Sequence, residues 1–144
     1  MHALPHHYTV TSSIQPDGDA QLVSGDLPPL ASLPPKEFGG PGDRWSPEGL
    51  FAASVVDCFV LNFKAIAEAS KLEWTSLDAK TEGVLDRSDG KMKFVSMTTT
   101  ARLVAPTGTD IDRAKRMLEK AEATCPISNT LNCEHRLIIE VSLA

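Results

Sequence analysis

Two cysteines are the residues in this sequence best placed to do chemistry. Cys58 lies inside the apolar run Leu50–Phe63, and Cys125 lies where an amphipathic pattern stops, directly before Pro126. A residue before proline is biased away from helical angles, so Cys125 belongs at a helix terminus. A thiol at a broken helix end moves more readily than one in mid-helix, as a resolving cysteine must. One chemistry open to such a pair is that of a peroxidatic thiol, which forms a sulfenic acid that a second thiol then traps as a disulfide. Among Val55, Phe59 and Leu61, the Cys58 thiol has its pKa raised by desolvation. To be a nucleophile near neutral pH it needs a cation or several donors beside it. The plain alternative for a cysteine in an apolar helix is inert packing.

The element that positions Cys58 opens at Ser46-Pro-Glu-Gly-Leu-Phe-Ala-Ala53. Ser46 suits an N-cap, Pro47 the first turn, and Glu48 the positive end of the dipole. From Leu50 to Phe63 only Ser54, Asp57, Cys58 and Asn62 interrupt the apolar residues, which predicts a helix over about 47–70, buried on all sides. The apolar run is shorter than the ~20 residues that span a bilayer and is followed by Lys64, so no membrane segment is expected. Before it, Tyr8–Gln15 and Ala20–Val23 predict a hairpin across Pro16-Asp-Gly18, and the Pro- and Gly-rich stretch Leu27–Arg44 predicts a loop. After it, Thr75–Glu82 and Lys93–Ala105 alternate as strands around a Ser88-Asp-Gly90 turn. Asp110–Thr124 recurs at helical spacing, and Leu137–Leu143 alternates as a last strand. Strands, helix, hairpin, helix, strand make an α+β domain with mostly antiparallel sheet, and residues 1–144 are expected to form one domain.

Composition narrows the function classes. The chain has 144 residues, 42% hydrophobic and 23% charged, with a net charge of −5. That suits a globular core and gives no broad basic surface, so neither nucleic acid nor an anionic membrane is an expected partner. The three cysteines are odd in number and widely spaced, which argues against a secreted disulfide framework and a zinc site. Met1–Val10 has no apolar core and contains three histidines, so no signal peptide is expected, and a reducing cytoplasm is the default compartment. Cys133 reads as packing or an exposed spare thiol, and His6, His7 and His135 as solvated strand-end residues that would bind a metal only if they converged. Trp45 and Trp74 read as covers for the helix ends, Trp45 also as a possible apolar wall.

The pattern Ser46-Pro-Glu48-x-Leu50-Phe-Ala-Ala53, Cys58-Phe59 and Cys125-Pro126-x-Ser128-Asn129, with Glu37-Phe-Gly-Gly40 before it, resembles the OsmC/Ohr family of organic hydroperoxide resistance proteins. The separation of 67 residues between the cysteines suits that family. The resemblance covers nearly the whole chain. It implies sheets around a long central helix in an intertwined homodimer, with active sites at the subunit interface. It also implies reduction of organic hydroperoxides, with Cys58 peroxidatic and Cys125 resolving. No bound cofactor is implied; an external thiol or dithiol, in the Ohr branch a dihydrolipoyl group, recharges the site. Glu48 matches the glutamate that holds an arginine beside the thiolate. The hairpin arginine itself is missing from Gln15-Pro-Asp-Gly-Asp19; Arg44 is the nearest replacement and Arg102 the next. Glu48 and Cys58 would lie ~15 Å apart along one straight helix, so Glu48 would serve the partner subunit's thiol. Asp57 stands where the family usually has a small residue. Its carboxylate would oppose a thiolate only if it pointed the same way, and adjacent helical residues diverge by about 100°. The alternative within the same fold is a protein without efficient peroxidase activity that binds an apolar ligand or senses redox state through its thiol pair.

Overall fold

The computed structural model describes residues Met1–Ala144. The chain divides into two compact units, Met1–Phe51 and Ala52–Ala144.

The first unit carries a three-stranded antiparallel sheet of β1 (Thr11–Ser13), β2 (Ala20–Val23) and β3 (Leu30–Ser32) in chain order. The Pro16-Asp-Gly18 turn closes with the Gly18 N–H donating to the Gln15 carbonyl at 3.1 Å. The first strand is shorter than its alternation predicts. Tyr8, Val10 and Ile14 are all exposed, so that segment has no buried face to extend the pairing. The expected loop at 27–44 contains β3 and a 3-10 turn, Lys36–Phe38, which ends on Gly39 at φ 86°. The four residues between two Pro-Pro pairs are too few to display a period. Ser32 bridges to Trp45, and the Leu33 N–H donates to the Trp45 carbonyl at 2.9 Å, which leads the chain into helix α1 (Pro47–Ala69). Ser46 caps that helix: its Oγ accepts from the Gly49 N–H at 3.0 Å, and Ser46 is buried. Ser46→Ala is expected to lower stability by about 1 kcal/mol in chemical denaturation. An unchanged midpoint would show that the cap is idle.

In the second unit, α1 buries Val55, Phe59, Phe63 and Ala67, one stripe at a spacing of four. The remaining faces are not enclosed by this chain: Leu61 is 58% exposed. The expectation of burial on every side therefore fails for the single chain, because its one sheet and second helix supply only one surface to pack on. At 23 residues the helix is long and apolar enough to cross a membrane by length and composition alone; here its buried stripe joins a core with Leu72, Ala101, Leu103 and Leu118. Trp74 packs edge-on against Phe63, with centroids 5.5 Å apart.

The sheet runs β4 (Ser76–Ser88), β5 (Lys91–Ala105), β6 (Glu134–Leu143). Asp89 (φ 52°) and Gly90 (φ 75°) make the two-residue turn between the first two strands, where positive φ at both positions matches the right-handed strand twist. The β5–β6 ladder is parallel while the other three are antiparallel. The reason is connectivity: α2 (Ile111–Ala123) carries the chain back before β6 begins, and a parallel pair requires such a crossover. Asp110 caps α2, its Oδ1 accepting from the Arg113 N–H at 3.0 Å. A second departure from the expected elements is a one-turn helix, α3 (Pro126–Thr130), with Cys125 as its N-cap.

Candidate thiol site

The thiol of Cys58 is half-buried on α1, one residue before Phe59 of the core stripe. Cys125 is fully buried at the junction of α2 and α3. The break predicted from Pro126 is present, and it turns the Cys125 side chain onto α1. The two Sγ atoms are 2.6 Å apart and both thiols are free. Asn62, one turn beyond Cys58, secures this approach. Its Nδ2 donates to the Ala121 carbonyl at 2.7 Å and to Thr124 Oγ1 at 2.8 Å, tying α1 to the last turn of α2, whose carbonyls have no partner within the helix. In the sequence Asn62 is only an interruption of an apolar run, and nothing there points to this role.

Burial pushes the Cys58 thiol up to about 11, and contact with Cys125 and the charge of Glu122 act in the same direction. The Ile127 N–H, at the start of α3, opposes them as a donor to the sulfur. The Ser128 N–H meets Cys125 Sγ at 3.5 Å. Desolvation therefore acts on Cys58 as its apolar neighbours predict, with one backbone donor set against it. Asp57 is exposed and is not among the groups that shift the thiol.

The remaining sequence candidates have surroundings of their own. Arg44, in the first unit, donates from Nε to Asp19 Oδ2 at 2.8 Å and from Nη1 to the Asp43 carbonyl at 3.0 Å. Asp19 lies in the hairpin stretch that lacks an arginine, so it supplies a carboxylate to hold one. Glu48 has one carboxylate oxygen, Oε2, buried without a hydrogen-bond partner. Arg44, Trp45, Ser46 and Gly49 line an open groove of about 580 Å³ with Leu30 and Ala31, so Trp45 forms an apolar wall beside a cation. Arg102 pairs with Glu140 across the sheet at 2.9 Å. Cys133 is half-buried. His6 and His7 are exposed as expected. His135 corrects its expected solvation: its side chain is 17% exposed, and Nδ1 lies 2.9 Å from Glu122 Oε1. It is the second residue of β6, which runs beside α2, and strand alternation turns it inward.

The OsmC-like protein family model matches residues 40–140. The chain belongs to this family. Among curated relatives, it is 27% identical over 125 residues to the uncharacterised protein YmaD of Bacillus subtilis, with 85% of this chain and 83% of that protein covered. It is 32% identical over 127 residues to the organic hydroperoxide resistance protein of Xanthomonas axonopodis pv. citri, with 85% of each covered. Among solved structures, an organic hydroperoxide resistance protein OsmC from Legionella pneumophila superposes with a TM-score of 0.74 at 26% identity. That match covers 96% of this chain and all of that one. The OsmC-like fold and its α+β class are thus those expected from the cysteine and Ser-Pro-Glu motifs.

Proposed function

We propose that this OsmC-like protein is a thiol peroxidase that reduces organic hydroperoxides to alcohols. The observation that carries the reading is the 2.6 Å approach of Cys58 and Cys125, in a chain 32% identical to an organic hydroperoxide resistance protein. The Cys58 thiolate attacks the distal peroxide oxygen. The O–O bond breaks, the alkoxide takes up a proton and leaves as alcohol, and Cys58 holds a sulfenic acid. Cys125 attacks that sulfur, a disulfide forms, and water leaves. An external dithiol, such as a dihydrolipoyl group, reduces the disulfide and is itself oxidised. The chain uses no bound cofactor in this cycle.

The working form in this proposal is a cytoplasmic homodimer. The apolar residues that α1 leaves exposed, Leu61 and Phe51 among them, supply surface for a second copy. Arg44 and Glu48 of one subunit then serve the Cys58 of the other, Arg44 as the cation and Glu48 as its positioning carboxylate. Sedimentation is expected to give a dimer at micromolar concentration; a stable folded monomer would contradict it.

A second reading, a redox-sensing thiol pair without efficient turnover, is favoured by the height to which burial pushes Cys58. One assay separates the two. Consumption of cumene hydroperoxide and of hydrogen peroxide is followed with a dithiol and with a monothiol reductant. Sustained turnover, faster with the alkyl hydroperoxide and with the dithiol, is the expected result. A single round of oxidation with no turnover would establish the sensor instead.

A further inference from the structure

Beside the thiol pair lies a buried carboxylate–imidazole contact that the peroxidase cycle leaves without a role. Glu122 is in the last turn of α2, and its carbonyl accepts the Cys125 N–H at 3.2 Å. Its side chain is only 14% exposed, and His135 Nδ1 from β6 lies 2.9 Å from Oε1. The contact is off the axis of a hydrogen bond. Both Glu122 oxygens and His135 Nε2 are buried without a hydrogen-bond partner. Buried polar atoms in native proteins are nearly always satisfied, and exceptions concentrate where chemistry is done.

The surrounding charges single out His135 as the compensating group. Glu119 and Lys120, the neighbouring charges on α2, are exposed. Arg136, the next residue on β6, is held by Glu134 at 2.7 Å on the surface. Cys125, three residues after Glu122, caps α3 and touches Cys58, and the Glu122 carboxylate adds to the effects that hold the Cys58 thiol up.

We infer that His135 is a positioning residue for the thiol chemistry: through its contact with Glu122 it holds and screens a buried carboxylate beside the thiol pair and so sets how readily Cys58 reacts. Without that partner a bare carboxylate faces a site where a second negative charge must form. The inference rests on Cys58 being the reacting thiol of the proposed cycle, but it concerns that sulfur's nucleophilicity and not the peroxide.

The test is alkylation of the reduced full-length protein with iodoacetamide over a pH series, with Cys58 followed at the peptide level by mass spectrometry. Glu122→Gln is expected to move the Cys58 midpoint down by about one pH unit. A thiolate loses some nucleophilicity as its pKa falls, so the rate at pH 7 should rise by about three- to fourfold and not tenfold. His135→Gln is expected to move both quantities the opposite way. In the double variant the His135 change should have no further effect, because the charge it compensates is gone. A merely structural pair would give single variants that shift in the same direction; that result, or a His135 effect that persists without Glu122, overturns the inference. Should His135→Gln fail to fold, Glu122→Gln alone decides, with unchanged or slower alkylation counting against the inference. A wild-type protein that consumes no hydroperoxide but shows the opposite shifts would remove the peroxidase reading and leave this one standing.

Discussion

Cys58→Ser is expected to bring hydroperoxide turnover to background and to abolish sulfenic acid trapping, while Cys125→Ser keeps the first step and loses the second. The asymmetry follows from where each thiol is held. Cys58 is half-buried and can be reached by a substrate, whereas Cys125 is fully buried and meets its partner sulfur and the Ser128 N–H. The Sγ atoms are already in contact, so closing a disulfide needs only a small movement. Cys125 can supply it, because its N-cap position has extended backbone angles, φ −72° and ψ 116°, outside either helix. In Cys125→Ser the sulfenic acid has no resolving thiol and should accumulate, then pass to sulfinic acid under excess peroxide. Mass spectrometry of the wild type after one equivalent of cumene hydroperoxide should find Cys58 linked to Cys125 and Cys133 reduced. A Cys58–Cys133 link, or two free thiols, would overturn the assignment.

The parts of this site that were legible in the sequence are those written in local patterns. Ser46-Pro-Glu48 marked the start of α1, Asp89-Gly90 the hairpin, and Cys125-Pro126 the end of α2, and each lies where its backbone chemistry requires. The missing parts depend on tertiary contacts. Asn62 breaks an apolar period and looks like a flaw until the end of α2 is placed against it. Glu122 is one of several charges on an amphipathic helix, and His135 one residue in an alternating strand. Only the parallel return of β6 beside β5, after the α2 crossover, brings the two together. β3 was hidden for a different reason: three residues flanked by prolines carry too little pattern to distinguish from loop. The face of α1 that this chain leaves exposed is hidden for another reason: uniform apolarity gives no period by which to tell it from the stripe at Val55, Phe59, Phe63 and Ala67.

Arg44→Met is expected to raise the midpoint of Cys58 alkylation toward about 11, the level to which burial, Cys125 and Glu122 push the thiol within its own chain. In the proposed dimer the guanidinium comes from the partner subunit, and an opposite charge close to an ionising group shifts it by roughly 1–3 pH units. The wild-type midpoint should lie below that of the variant by an amount in this range. Asp19 and Asp43 engage Nε and Nη1, which orients the planar group in advance; Nη2 makes neither contact. Pre-orientation matters because a mobile side chain would lose conformational freedom each time it served the thiolate. Arg44 is partly exposed, with 43% of its side chain open to water, so added salt should narrow the difference between wild type and variant. Asp19→Asn should shift the profile the same way as Arg44→Met but by less, since it frees the guanidinium without removing its charge. Superimposable profiles for wild type and Arg44→Met, at low salt and with the dimer intact, would show that Arg44 only ties the loop to the hairpin and that Cys58 ionises without a cation.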